Sequence, residues 1–69
     1  MDKEKQIRIW VKKTRQLIRE SSDTKTKDYI VMMWLGYLNG LWMTNAITYK
    51  EYQTLYDEMQ QFIAGLEAA

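Results

Sequence analysis

Nine carboxylates, ten Lys and Arg side chains, five Tyr and a scatter of Ser and Thr are the groups with which this 69-residue chain could do chemistry; it has no His and no Cys. Without those two residue types there is no thiolate or imidazole for a metal, no disulfide, and no Ser-His or Cys-His nucleophile. General acid–base catalysis would need two titratable groups drawn into an apolar site that moves their pKa values apart. The carboxylates are instead scattered over what should be solvent faces, Ser21 and Ser22 have no imidazole to activate them, and Lys12-Lys13 has no pocket beside it. There is no Gly-rich phosphate loop and no acidic calcium loop. The expectation is a protein that is not an enzyme and that implies no cofactor and no metal.

What the spacing does offer is a surface. Lys5, Arg8, Lys12, Arg15 and Arg19 follow one another at intervals of 3, 4, 3 and 4, which on a helix makes a continuous basic stripe, roughly opposite Ile7, Val11, Thr14 and Ile18. Residues 1–28 carry nine positive and five negative side chains (net +4) and residues 29–69 carry one and four (net −3), so the formal total of +1 conceals a dipolar chain. Such a stripe can meet an acidic protein surface, track nucleic-acid phosphates or lie on anionic lipid. It can equally be a solvated face, or pair with the acidic end of the chain through Glu51, Asp57, Glu58 and Glu67. A sequence-specific helix-turn-helix is disfavoured, because its recognition helix would carry one Lys and four acids. Tyr49, Tyr52 and Tyr56 share one edge of that acidic segment, where phenol hydroxyls commonly reach the rim of a core or an interface.

Three segments must position these groups. No stretch alternates with the period of a strand, and the absence of Pro with only three Gly favours long helices. The first helix is expected over about 2–20, with Ile7, Trp10, Val11, Leu17 and Ile18 as its apolar face and Thr14 among them. Ser21-Ser22-Asp23-Thr24 breaks it and supplies caps for a second helix over about 25–43. Thr44-Asn45-Ala46 is the next break. Thr48-Tyr49-Lys50-Glu51 then fits a capping box, with Ile47 and Tyr52 placed as its hydrophobic staple, so the third helix runs over about 49–66. Its apolar stripe is Tyr52, Leu55, Tyr56, Met59, Phe62, Ile63 and Leu66, and Gly65 should weaken its last turn. The predicted fold is all-α: a single domain over 1–69, built as a three-helix antiparallel bundle.

The second helix has more apolar surface than one core needs. Ile30, Met33, Trp34, Tyr37 and Leu41 fall on one face, Val31, Leu35, Leu38 and Trp42 on an adjoining one, and Tyr29, Met32, Gly36, Asn39, Gly40 and Met43 in a narrower sector. In a closed bundle the two bulky faces would pack on the first and third helices. The alternative is that the surplus, with the groove at Gly36, Asn39 and Gly40, is an interface. A domain this small, with no disulfide or zinc, is expected to add stability by oligomerising. A homodimer through Val31, Trp34, Leu35, Leu38 and Trp42 is therefore expected.

The 21 uncharged residues from Tyr29 to Tyr49 reach the length of a membrane span. Asn39, Thr44, Asn45 and Thr48 interrupt the run, and its compact part from Tyr29 to Met43 spans only about 22 Å, so a membrane association is the weaker reading. The charged N-terminus has no short apolar core with a cleavage site, and a cytoplasmic location is expected. In size and build the chain is similar to small helical accessory proteins, including those of phages and mobile elements. Its expected role is a non-catalytic interaction module, a regulator or inhibitor that binds a larger protein stoichiometrically and contacts it through Lys5, Arg8, Lys12, Arg15 and Arg19. Nucleic-acid binding by the same stripe is the alternative.

Overall fold

The computed structural model describes residues 2–68, and among them it contains three helices and no strand: α1 (Lys3–Glu20), α2 (Thr24–Met43) and α3 (Tyr49–Ala68). α1 packs on α2 and α2 on α3, the all-α bundle class that the periodicity predicts. The backbone divides into two compact units, 1–34 and 35–69, with the boundary inside α2.

In the first unit, α1 begins where Asp2 accepts a hydrogen bond from the Glu4 amide (3.1 Å) and ends at Ser21, whose amide reaches the Leu17 and Ile18 carbonyls. Its buried line is Ile7, Val11, Thr14 and Ile18. Thr14 is tolerated there because its hydroxyl donates to the Trp10 carbonyl (2.8 Å), leaving its methyl group for the apolar side. Leu17, expected in the core, is exposed: one residue before Ile18, it is turned about 100° away from that line.

Asp23 starts α2. One carboxylate oxygen accepts from the Thr26 amide (2.6 Å) and the other from the Thr26 hydroxyl (3.0 Å). Those two bonds, with a smaller contribution from the Lys27 charge, hold the Asp23 carboxyl below its ordinary pKa. A carboxyl whose pKa is lower in the folded state contributes stability above the unfolded carboxylate range, and loses it as pH falls through the folded value. Wild-type chain should therefore lose more thermal stability than Asp23→Asn between neutral pH and about pH 3, since Asn caps as well but cannot titrate. Equal acid sensitivity of the two in circular-dichroism melts would remove Asp23 from the pH response.

In the second unit, α2 ends in a Schellman turn. Asn45 adopts φ 63°, in the left-handed region that Asn tolerates, while the Ala46 amide donates to the Leu41 carbonyl (2.8 Å) and the Asn45 amide to the Trp42 carbonyl (3.0 Å). The capping box is present as the spacing predicts: the Glu51 amide donates to the Thr48 hydroxyl (3.1 Å), and the Thr48 amide to a Glu51 carboxylate oxygen (2.8 Å). Ile47, in the staple position, is buried, and the rest of this unit's core is Leu38, Leu55 and Met59. α3 continues through Gly65 to Ala68, two residues past its expected end. A glycine weakens a helix by about 1 kcal/mol without having to end it.

Candidate functional site

Three surfaces gather the groups that the sequence singles out. On α1, Lys5, Arg8, Lys12 and Arg19 are exposed, and Arg15 is half-buried with its guanidinium 5.9 Å from the centroid of the Trp34 ring. The stripe is not opposite the buried line. At 100° per residue its centre lies about 110° round from Ile7, Val11, Thr14 and Ile18, so its innermost member, Arg15, comes to the edge of the core. Arg15 therefore braces an interior ring, and the outward-facing stripe is the other four cations.

On α2 the residues expected to self-associate separate into two groups. Trp34 and Leu38 are 1% and 0% exposed and belong to the chain's own interior. They have no surface to give a second copy, which corrects their assignment to a dimer interface. Their positions lie where the two bulky faces adjoin, and that seam is the buried part of the helix. Val31 and Leu35 are half-buried, and Trp42 keeps part of its surface.

The apolar surface left outside is the third sector. Tyr29, Met32 and Met43 are 64%, 71% and 75% exposed, with exposed Met33 beside them. Gly36 and Gly40 lie in the same sector, and a Cβ built on either would meet nothing within 4 Å. No charged side chain occurs on α2 from Tyr29 onward. Asn39, expected with the glycines, instead accepts a hydrogen bond from the Tyr52 hydroxyl (2.7 Å) and ties α2 to α3.

The third surface lies wholly in the second unit and was only half visible in the sequence. Trp42 lies 5.2 Å from Tyr49 and 5.3 Å from Tyr52, centroid to centroid. Tyr49–Tyr52 and Tyr52–Tyr56 follow at 6.0 and 6.1 Å with planes inclined by 22° and 29°. Tyr49, Tyr52, Gln53, Tyr56 and Asp57 line an open hollow of about 390 Å³. The i, i+3, i+7 spacing announces the three tyrosines; Trp42 joins them only through the turn at Asn45.

Tyr37, part-buried on α2, has its phenol pKa raised by that burial, so it stays protonated through the neutral range. Among the described residues no three acidic, His or Cys side chains gather where they could hold a metal ion, and no helix is long and apolar enough to cross a membrane. The chain matches no known family model, no characterised protein and no solved structure.

Proposed function

We propose that the chain is a non-catalytic interaction module: a small helical protein, cytoplasmic, that pairs with a second copy through the outer face of α2 and acts by stoichiometric binding to a larger protein, as a regulator or inhibitor. The observation that carries the proposal is the uncharged exposed surface that α2 carries in each unit: Tyr29, Met32 and Met33 in the first, and Gly36, Gly40 and Met43 in the second. Exposed apolar surface of this kind marks interaction sites, and Met and Tyr are among the residues that interfaces favour. A second copy suits it on electrostatic grounds. A basic face or an acidic face repels its own copy, whereas an uncharged one meets itself without like-charge opposition. The two glycines, open above, leave room for another helix to approach closely, with Met32, Met33 and Met43 as adaptable packing beside them.

Sedimentation equilibrium at tens of micromolar should return twice the 8.3 kDa chain mass. A monomer there defeats the pairing. Exposed Lys5, Arg8, Lys12 and Arg19 favour one second reading, a nucleic-acid-binding accessory protein. On that reading, four phosphate contacts predict a slope of log affinity against log salt of about −3 to −4 on duplex DNA. Absence of binding to duplex DNA at low salt removes it.

A further inference from the structure

The aromatic row of the second unit is unusual in where it lies. That unit's interior is supplied by Leu38, Ile47, Leu55 and Met59, while four of its six large aromatics stand together beside the core: Tyr49 is 53% exposed, Trp42 partly exposed, and Tyr52 and Tyr56 half-buried. They form an unbroken series of rings, each within about 6 Å of the next. The hollow along three of them, at about 390 Å³, falls within the range of small-ligand sites. The Tyr52 hydroxyl is already engaged by Asn39, which sets the orientation of the ring at the centre of the row.

The lining of the hollow is electronegative. Aromatic faces carry negative potential and the one ionised group in the lining is the Asp57 carboxylate. Lys50, seven residues before Asp57, falls on the same side of α3, and Glu51 and Glu58 fall on the opposite side. Phosphate, nucleic acid and acidic peptides are opposed by that field. A cation is favoured two ways, by the ring faces and by Asp57. Among protein cations the guanidinium fits best, because it is planar, stacks on a ring and can present two donors to a carboxylate at once. The same chain already uses that pairing internally, with Arg15 over Trp34.

We propose that the row Trp42–Tyr49–Tyr52–Tyr56, with Asp57 at its rim, is a docking site for an arginine-bearing segment of the partner protein, the rings receiving guanidinium planes and Asp57 accepting their N–H groups. This rests on the reading of the chain as a protein-binding module, but not on pairing through α2. The two are tested apart.

The test is nuclear magnetic resonance titration of the full chain with an acetylated, amidated Gly-Arg peptide repeated three times, and with its Lys and Gln counterparts. The Arg peptide should shift the Trp42 indole and the Tyr49, Tyr52 and Tyr56 ring signals saturably, the Lys peptide more weakly, and the Gln peptide not at all. Asp57→Asn and Tyr49→Ala, both at exposed positions, should keep the folded spectrum and each lower affinity about tenfold or more. Titration of a Gly36→Leu variant should give the same shifts even if that variant is monomeric. Equal binding of the Gln peptide, binding of an oligosaccharide at these rings in place of the Arg peptide, or shifts confined to α1 would overturn the assignment. So would loss of the wild-type dimer on Asp57→Asn, since the row would then be a contact between copies of this chain.

Discussion

Trp34→Ala should abolish the folded state. Removing a fully buried Trp costs about 3–5 kcal/mol, through lost apolar transfer and the cavity left behind. A single core in a domain below about 70–80 residues rarely supplies more than ~3–5 kcal/mol in all. The two quantities are of the same size, and Trp34 is 1% exposed, so the variant has no margin. It also loses the ring beneath the Arg15 guanidinium. Circular dichroism should show loss of the helical signal at 25 °C, and amide resonances should collapse to unfolded dispersion. Trp34→Phe should retain a cooperative melt at lower temperature. A folded, monomeric Trp34→Ala chain would instead place Trp34 in the interface between copies, as the sequence suggested.

The second large effect separates folding from pairing at one position. Gly36→Leu replaces a poor helix former by a good one, worth about 0.5–1 kcal/mol in a helix interior, and nothing lies within 4 Å of the new Cβ. The monomer should therefore become more stable. The same side chain fills the space through which a second α2 would approach, so pairing should weaken on the order of 100-fold, equivalent to ~2.7 kcal/mol. The two effects have opposite signs at different concentrations. On the proposed pairing, the melting temperature should rise above wild type in dilute protein and fall below it in concentrated protein, because pairing would stabilise the wild type by mass action. Met32→Glu provides the electrostatic version, setting a carboxylate of each copy against the other in a face that otherwise has no charge. If both variants sediment as wild-type dimers, the outer face of α2 is not where copies meet.

Elements governed by near neighbours in the chain were legible. Thr48 and Glu51 bond each other's amides across three residues, so their spacing alone announces the start of α3. The Asp23 cap of α2 is of the same kind. The Schellman turn was less visible, because only a backbone conformation distinguishes Asn45 from any other polar break. Apolar character located the second helix but could not rank its faces. Trp34 and Trp42 carry the same side chain; one is interior and the other stands in an exposed aromatic row, and eight residues of separation do not say which. On α1, Ile18 is buried and Leu17 exposed for the same reason.

The amino-acid sequence by itself determined three helices, their starts, the division into a basic N-terminal and an acidic C-terminal half, and the lack of a His or Cys for metal or nucleophile chemistry. These follow from local hydrogen bonding, short-period patterning and counting, which need no knowledge of what packs where. Only the tertiary structure decided which apolar face of α2 is buried, that Arg15 turns from the charged stripe to the edge of the core, and that Trp42 meets three tyrosines across a turn. Burial is set by partners distant in the chain, and a helix apolar on most of its circumference offers several faces of nearly equal transfer free energy. Packing against α1 and α3 selects among them, and leaves Tyr29, Met32 and Met43 exposed.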